Sequence, residues 1–484
     1  MFRLQLRLAA RPVATLALCG GVALIGAPAG SVASAATSSL PVPVPAVSDY
    51  QFLTSSTTLP TEASCFAIGR RCYTAAAMEA SYNLGPLYQL KEDGRGVTIA
   101  IIDSFGNPNM ASDLANFDTQ MNLPHMCGEP GQACGSGIPT FQHLFWNGQT
   151  EVKAPPPGSH SPGSQARDAW TIETSLDVEW AHAMAPMANI INVTTNPAET
   201  QGVQGLPAMM DAEQFIVDNH QATVISQSFG STEEAFDSTQ SLLNLRHAFI
   251  SAAANGVTVL ASSGDGGTAN AGKTPVPNPS IVPFPTVEWP ASDPLVTGVG
   301  GTYLCTNPVT GTGIDNTDPP VNCDVSPGVR EIGWIDSGGS FSHIFAKPAY
   351  QVTLPAGSTS IGTMRGVPDV AVQASSRTGP LVYDTAPGAG GWFIVGGTSC
   401  SAPQWAGLVA IADQIAGHGL GLINPTLYQL ADSQNYGMYF YDVTTGNNQA
   451  DPSIPGYNAT TGWDPVTGLG TPNAANLVPA LAAG

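Results

Sequence analysis

A glycine-led turn followed by an apolar run, GGTSCSAPQWAGLVAIA at residues 396–412, is the first candidate for chemistry in this chain. The turn would present Ser399 as a nucleophile, and the run after it has the composition of a buried helix. A serine hydroxyl attacks a carbonyl carbon efficiently only when a base removes its proton, and histidine is the usual base. Another part of the sequence must therefore supply that base.

The histidines do not offer an obvious base. His182 lies between alanines in VEWAHAMAP, a context that favours a packed or hydrogen-bonded structural histidine. The HExxH motif of zinc peptidases does not occur in the sequence either.

Two acids lie on one face of a predicted helix, DAWTIETSLDVEWAHAMAP at residues 168–186. Glu173 and Asp177 are four residues apart, so a helix places them one turn apart on the same side. Like charges at that spacing raise the proton affinity of one acid unless the two share a proton. Trp170 and Trp180 flank the pair, and the helix around the two acids carries many apolar residues. The pattern favours two acids buried for a purpose, and a solvated helix edge is the alternative.

The elements around these residues predict an α/β fold with a mainly parallel twisted sheet and helices on both faces. The predicted strands are β-branched apolar runs, and helical patterns lie between several of them: GVTIAIIDSFG, ANIINVTT, ATVISQSFG, GVTVLASSGDGG and LVTGVGGTY. Ligands of such sheets bind beyond the carboxyl ends of the strands, where Asp103, Ser228 and Asp265 would emerge. Residues 125–162 and 273–290 are predicted to be long surface loops.

Together these motifs resemble those of the sedolisin family, the serine-carboxyl peptidases, from about Tyr82 to the C-terminus. The motifs that carry the resemblance are, in chain order, ETSLDVEWAHAMAP, SQSFG, SSGDGG, EWPASDPLVTGVGGT, GGTSCSAP and GWDPVTGLGTPN. The resemblance implies a subtilisin-like fold and a secreted, acid-acting endopeptidase. Such an enzyme would hydrolyse protein or peptide substrates through an acyl-enzyme.

The same resemblance implies roles for the acids. Ser399 would be the nucleophile, Glu173 its base, and Asp177 the acid that orients Glu173. Asp265 would stabilise the oxyanion, for which it must keep its proton. Because glutamate has an unperturbed pKa of about 4.3, a mildly acidic pH could satisfy both demands. A glutamate would then take the place of the histidine.

Further residues are implied around this set. The substrate backbone would pair with a strand that carries Ser226, Ser228 and Gly230. Asp103 would support Asp177, with a plain turn-capping role as the alternative, and Trp170 would lie in the same outer layer.

Two glycine-rich loops near the C-terminus, YDVTTGNN and ATTGWDPVTGLGTPN, are candidates for a metal site. Calcium takes several oxygen ligands from carboxylates and backbone carbonyls of irregular loops. The resemblance implies one Ca²⁺ and the following ligands: Asp442, Val443, Thr460, Gly462 and Asp464. Two ordinary turn aspartates are the alternative.

The N-terminus indicates export. Three arginines and an apolar stretch precede the small residues Ala-Ser-Ala, so residues 1–35 are predicted to be a secretory signal peptide. Residues 36–74 are rich in Ser, Thr and Pro and are expected to form an extended segment before a peptidase domain at residues 75–484. Sedolisins usually carry a long folded propeptide, for which this segment would be too short.

Composition narrows the possible partners. The chain has 15 Lys and Arg against 36 Asp and Glu, a formal charge of −21, which disfavours nucleic acid as a partner. This excess of acidic residues fits either a protein that acts in an acidic environment or simply a soluble secreted protein. After the leader no run is long and apolar enough to span a bilayer, so we expect no membrane partner, and we expect a monomer.

The cysteines indicate an oxidising compartment, because most of them occur as close pairs. Proximity suggests three disulfides: Cys65 with Cys72, Cys127 with Cys134, and Cys305 with Cys323. Cys400 is left over and is expected to be a small buried hydrophobe.

Two other functions stay open. An exopeptidase of the same chemistry would remove tripeptides from free N-termini, which requires a blocked cleft and an amine-binding carboxylate. A catalytically silent secreted binding protein would use the fold without the reaction, although the filled catalytic positions argue against it.

Overall fold

The computed structural model of the chain describes residues 44–45, 49–146, 151–152, 164–195, 206–272, 281–316, 323, 326–386 and 390–484. All of these residues lie in one compact unit, Ser39–Gly484. The predicted signal peptide at residues 1–35 lies outside the described residues.

Strands and helices are numbered here in chain order. The strands are β1 (Val44–Pro45), β2 (Asp49–Thr54), β3 (Arg71–Tyr73), β4 (Thr98–Ser104), β5 (Phe141–Trp146), β6 (Glu151–Val152), β7 (Asn189–Thr195), β8 (Val224–Gln227), β9 (Phe229–Thr232), β10 (Thr258–Ser262), β11 (Glu288–Trp289), β12 (Thr297–Leu304), β13 (Glu331–Gly333), β14 (Ser340–Ala346), β15 (Met364–Val367), β16 (Val370–Gln373), β17 (Thr378–Asp384), β18 (Gly391–Gly396), β19 (Phe440–Tyr441) and β20 (Thr471–Pro472). The helices are α1 (Glu62–Phe66), α2 (Ala75–Ser81), α3 (Gly85–Gln89), α4 (Met110–Met121), α5 (Ser164–Met184), α6 (Leu206–Asp218), α7 (Thr239–Leu243), α8 (His247–Ala254), α9 (Ser401–Ala416), α10 (Asn424–Ala431), α11 (Tyr436–Tyr439) and α12 (Ala474–Ala482).

A mainly parallel sheet forms the centre of the fold and confirms the predicted α/β class. Its strand order is β13-β12-β10-β8-β4-β7-β5-β6, and β16 pairs with β12 beside this path. The strands from β12 to β5 run parallel to their neighbours, whereas β13 and β6 pair antiparallel at the ends. β4, β7, β8, β10 and β12 come from the runs in which strands were predicted.

β4 illustrates why these apolar runs become interior strands. Ile99 and Ile101 lie in one apolar cluster with residues of α5 and α9, and Ala100 and Ile102 lie in a second cluster with residues of α6 and α8. A strand covered on both faces needs apolar side chains at successive positions rather than alternate ones. The strand then ends in polar residues, which places Asp103 at its carboxyl end.

Helices α5 and α9 pack against each other on one face of the sheet. α9 follows the predicted nucleophile and is buried along most of its length. A Cβ at Gly407 of α9 would lie 2.5 Å from the Cβ of Met184 on α5, so a glycine is needed for this close approach. The packing fixes the helix that carries the two predicted acids against the helix behind Ser399.

Two parts of the architecture differ from the sequence-based expectation. β5 lies within residues 125–162, where a long loop was predicted, because its sequence FQHLFW lacks a continuous apolar run. β2 and β3 lie in the predicted extended segment, yet they belong to a four-stranded sheet of order β2-β18-β17-β3. The described part of that segment is therefore built into the fold.

The three predicted disulfides are present, and Cys400 is free and buried. Among the described residues, no helix combines the length and the apolar character that crossing a membrane requires.

Candidate active site

Ser399 lies in a tight turn, Thr398–Cys400, between β18 and α9. A Cβ at Gly396 would lie 2.2 Å from the backbone nitrogen of Ser376, and Gly397 has a φ of +140°. Both positions therefore need glycine, which explains the Gly-Gly pair before the turn. Ser399 is fully buried, and its Oγ forms no hydrogen bond of normal geometry with any described residue.

Glu173 lies on α5 and faces this serine from a fully buried position. Burial raises the pKa of Glu173 well above its ordinary value, the Ser399 hydroxyl opposes the rise, and the charges of Asp103 and Asp265 add to it. Neither carboxyl oxygen of Glu173 forms a hydrogen bond of normal geometry within the described part of the chain. The predicted base and the predicted nucleophile thus adjoin each other with their polar atoms still available.

Asp177, one turn further along α5, is held by Ser228, whose Oγ donates to Asp177 Oδ1 at 2.8 Å. Burial raises the pKa of Asp177, and the neighbouring charge of Glu173 raises it further. Asp103 lies beside Asp177, and its charge raises the pKa of Asp177 further.

Asp103 itself is anchored from the next strand, where Asn192 Nδ2 donates to its Oδ2 at 2.7 Å. Burial raises the pKa of Asp103 to about 7, although Asn192 opposes the rise. The sequence analysis did not single out Asn192. Its position in the apolar run ANIINVTT was the only local signal, since a buried strand rarely carries an unpaired amide.

Asp265 follows β10 and contacts the nucleophile turn. Its Oδ1 accepts hydrogen bonds from the backbone N–H of Thr398 at 2.7 Å and from Thr398 Oγ1 at 2.9 Å. Thr398 Oγ1 in turn accepts the N–H of Gly264 at 3.0 Å. Asp265 is partly exposed, unlike the other three predicted catalytic residues.

Cys400 directly follows the nucleophile but is unsuited to replace it. Burial raises the pKa of its thiol well above the ordinary value, and the charges of Glu173, Asp265 and Asp177 raise it further. A thiol that keeps its proton is a weak nucleophile. Cys400 instead packs in the apolar cluster around α9.

The structure corrects the predicted role of Ser226. Ser226 lies in β8, where it pairs with Leu260 of β10 on one side and with Ile101 of β4 on the other. Because both edges of β8 are already paired, the backbone of Ser226 is not available to a substrate. Ser228 lies at the break between β8 and β9, where its side chain serves Asp177.

Gly230 lies in β9, which is separate from the central sheet and runs between β1 and β11. The backbones of Val44 and Pro45 in β1 pair antiparallel with Gly230 and Phe229. β9 is thus able to hold an extended segment through backbone hydrogen bonds.

Glu288 on β11 is a site residue that the sequence analysis missed. A Cβ at Gly230 would lie 2.6 Å from Glu288 Oε2, and a Cβ at Gly264 would lie 2.8 Å from its Cδ. Burial raises the pKa of Glu288 to about 8, and the charge of Asp265 adds to the rise. The residue belongs to the motif EWPASDPLVTGVGGT, but only the pairing of β11 with β9 brings it to the site.

Trp170 and His182, which lie on the same helix as the two acids, contact other parts of the fold. Trp170 packs in the apolar cluster that contains Ile102 and Val193, and its ring nitrogen bonds to none of the described residues. His182 is fully buried on α5, and its Nε2 donates to the carbonyl of Pro124 at 2.9 Å. His182 is therefore engaged as a structural histidine, as its sequence context indicated.

The two loops predicted to bind calcium lie against each other. The N–H of Gly462 donates to Asp442 Oδ1 and Oδ2 at 3.1 and 3.2 Å, and the N–H of Thr460 donates to Asp464 Oδ2 at 2.9 Å. Asp464 is fully buried, and burial raises its pKa to about 7. No hydrogen bond from a described residue reaches the carbonyl oxygens of Val443, Thr460 or Gly462. This set of carboxylates and free carbonyls fits a hard cation.

Comparison with known proteins agrees with this geometry. The model of the subtilase family matches residues 166–424, just over half of the chain, and this range contains all four predicted catalytic residues. Kumamolisin from Bacillus sp. (strain MN-32) is 36% identical over 319 residues, which are 64% of this chain and 50% of that protein. The chain belongs to the sedolisin family of subtilases.

Other relatives of this sedolisin-family chain carry different names. Tripeptidyl-peptidase SED1 from Arthroderma otae is 32% identical over 351 residues, which are 64% of this chain and 48% of that protein. The chain spans about half the length of these relatives. Among solved structures, Pseudomonas sedolisin, a serine-carboxyl proteinase complexed with two molecules of pseudo-iodotyrostatin, matches with a TM-score of 0.64 and 24% identity over 86% of this chain and 99% of that chain. This likeness confirms the subtilisin-like fold.

Proposed function

We propose that this chain is a serine-carboxyl peptidase that hydrolyses peptide bonds in proteins or peptides through an acyl-enzyme on Ser399. One observation carries the proposal: Ser399 and Glu173 adjoin each other in a buried site, and neither side chain forms a hydrogen bond of normal geometry with another described residue. The arrangement satisfies the requirement that a serine nucleophile has a base within reach.

In the acylation step Glu173 accepts the proton of Ser399 Oγ while this oxygen attacks the scissile carbonyl carbon. The carbonyl electrons move onto oxygen, and when the tetrahedral intermediate collapses the leaving amine takes the proton from Glu173. In deacylation Glu173 removes a proton from water, the resulting hydroxide attacks the acyl carbon, and Ser399 leaves with the proton.

In its ionised form Glu173 is a stronger base than an ordinary carboxylate, because burial and, to a smaller extent, the charges of Asp103 and Asp265 raise its pKa. A base with a higher pKa binds the serine proton more strongly. We assign to Asp177 the orientation of Glu173, and to Ser228 and Asp103 the orientation of Asp177.

Asp265 is proposed to stabilise the oxyanion as a protonated acid. Because its Oδ1 accepts two hydrogen bonds from Thr398, the proton of the acid form is carried on Oδ2. An ionised Asp265 could not donate to an oxyanion. This requirement is the reason for proposing that the enzyme acts at acidic pH.

The substrate is proposed to bind as an extended strand along β9, in the manner of β1. Such binding suits internal cleavage of a polypeptide, and hence an endopeptidase. A tripeptidyl exopeptidase is the second candidate, because Glu288 places a carboxyl beside β9 that could pair with a free amine. Burial raises the pKa of Glu288 to about 8, so pairing with an ammonium ion would require this carboxyl to lose its proton on binding.

Cofactor and location complete the proposal. One Ca²⁺ would be held by the carboxylates of Asp442 and Asp464 and by the carbonyls of Val443, Thr460 and Gly462, and it would neutralise the two acids and join their loops. The disulfides and the predicted leader support a secreted, extracellular protein. The formal charge of −21 supports peptide substrates rather than nucleic acid, and we propose a monomer without a membrane partner.

A digest of a denatured protein over a series of pH values, with the products mapped by mass spectrometry, tests the proposal. We expect internal cleavages that are most frequent at acidic pH and absent with Ser399→Ala. Successive release of tripeptides from the N-terminus would support the exopeptidase instead. Binding without cleavage, equal for the parent chain and Ser399→Ala, would support the silent binding protein.

A further inference from the structure

A second group of titratable side chains lies away from the proposed active site, where α4 and the loop after it meet the end of α5. Asp118, His125 and Glu129 each place a nitrogen or carboxylate oxygen within 4.8 Å of the others. Asp118 lies in the last turn of α4, and the other two lie in the loop that leads through the Cys127–Cys134 disulfide.

The contacts within this group leave one carboxylate without hydrogen bonds. His125 Nδ1 lies 2.5 Å from Glu129 Oε2, and Glu129 Oε1 accepts the backbone N–H of Met126. Asp118 is fully buried, and neither of its carboxyl oxygens forms a hydrogen bond of normal geometry with a described residue. His182 also lies beside Asp118, with its Nε2 3.4 Å from Asp118 Oδ2.

A buried carboxylate without hydrogen bonds is costly, and a second carboxylate beside it increases the cost. A cation between Asp118 and Glu129 removes both penalties at once. An imidazole nitrogen together with two carboxylate oxygens is a donor set that suits Zn²⁺, whereas Ca²⁺ prefers six to eight oxygens. The other described grouping of this kind, Glu62 with Cys65 and Cys72, has both sulfurs in a disulfide and offers no thiolate.

We propose that Asp118, His125 and Glu129 bind one divalent cation of the zinc class, with His182 orienting Asp118. The bound cation connects the end of α4 and the disulfide loop to α5, the helix that carries Glu173. The site therefore stabilises the fold and takes no part in the reaction. It differs from the proposed calcium site in position and in ligand type, and it stands whether or not the chain cleaves peptides.

The test uses the full chain carrying Ser399→Ala, which prevents self-digestion, after treatment with chelator and dialysis into saturating calcium at pH 7. The pH is held at 7 throughout, because metal affinity depends on the protonation of the ligands. Added Zn²⁺ should be retained through dialysis at one ion per chain by elemental analysis and should raise Tm by about 2–4 °C. Glu129→Gln and His125→Ala should lose both the bound zinc and the rise in Tm.

A matched control is available on the surface. His343 Nδ1 lies 2.5 Å from Glu234 Oε1, and in the described part of the chain no third ligand group completes that pair. Glu234→Gln should therefore leave zinc retention and the rise in Tm unchanged.

Two results would overturn the site. One is that no zinc is retained and Tm does not move; the other is that Glu129→Gln and His125→Ala respond to zinc as the parent does. Asp118→Asn tests the remaining explanation, in which the two acids share a proton: the parent would then show no response to zinc, and Asp118→Asn would be more stable than the zinc-free parent. Should Asp118→Asn fail to fold, the two loop variants decide the question.

Discussion

The backbone N–H of Thr398 donates a hydrogen bond of 2.7 Å to Oδ1 of Asp265, a residue 133 positions earlier in the chain. The hydroxyl of Thr398 donates to the same oxygen at 2.9 Å. Because Ser399 directly follows Thr398, these two bonds set the position of the acid relative to the nucleophile. They also leave Oδ2 to carry the proton when Asp265 is neutral.

Two replacements of Asp265 should distinguish the effect of losing the hydrogen-bond donor from the effect of its ionisation. Asp265→Ala removes the donor and should reduce kcat at acidic pH by about 10²–10³-fold. Asp265→Asn can still accept the two bonds from Thr398 and donates an N–H that does not ionise, so its residual activity should fall less steeply on the alkaline side. The measurement is kcat/KM against pH for all three proteins. An alkaline limb of Asp265→Asn with the same midpoint and slope as the parent would show that Asp265 is not the titrating donor.

Stability should decrease as the pH rises from about 4 towards 8. Burial raises the pKa of Asp103 to about 7 and that of Glu288 to about 8, and it also raises the pKa values of Glu179 and Glu213. A carboxyl with a raised folded pKa stabilises the fold fully below its unfolded pKa of about 4 and loses this contribution as pH passes the folded value.

Thermal unfolding of Ser399→Ala across this range, in the presence of a chelator, measures the effect. Asp103→Asn is a useful comparison, because its Tm should depend less on pH near 7. A Tm of Ser399→Ala that climbs steadily from pH 4 to pH 8 would contradict the assignment of these carboxyls as neutral buried groups.

Calcium should stabilise the chain through Asp464. At pH 7 a chelator should lower Tm of the Ser399→Ala protein by mass action, since the cation binds only the folded loops. Asp464→Asn should have a lower Tm, and the chelator should not lower it further. Asp451→Asn provides a control, because this exposed loop carboxylate bonds to Ser453 and lies outside the proposed ligand set. Equal chelator responses in the Asp464→Asn and Asp451→Asn proteins would exclude the site.

The pairing of β1 with β9 predicts competition with substrate. The backbones of Val44 and Pro45 occupy the strand along which a peptide is proposed to bind. Deletion of residues 44–48 should therefore lower the apparent KM for a peptide substrate several-fold and leave kcat unchanged, because a competing segment only reduces the binding-competent fraction. Steady-state kinetics of the two chains measure this. An unchanged KM would refute the competition, and a fall in kcat would show that the segment supports the site itself.

Local patterns were sufficient for the parts of the site that lie within one element. The spacing of Glu173 and Asp177 predicted their common helix face, and the glycines before Ser399 predicted its turn. The disulfide pairs were predicted because their cysteines are close in sequence.

Contacts between distant segments could not be predicted in this way. Thr398 and Glu288 reach Asp265 only through tertiary packing and the pairing of β11 with β9. Ser226 was misplaced because the motif SQSFG suggests one continuous strand, whereas the chain leaves the central sheet at Ser228 and starts a new strand. β5 was missed because its polar residues interrupt the apolar pattern.

The central claim is that Glu173 removes the proton of Ser399, and the kinetics of three variants on one peptide substrate at acidic pH test it most directly. Glu173→Gln should reduce kcat/KM by at least about 10³-fold, to a level similar to that of Ser399→Ala. The double variant should be no less active than either single variant, because members of one catalytic unit are not additive. His182→Gln, if it folds, should keep its activity, since His182 bonds to Pro124 and lies against Asp118. Near-normal kcat/KM for Glu173→Gln, with activity lost in His182→Gln instead, would contradict the account.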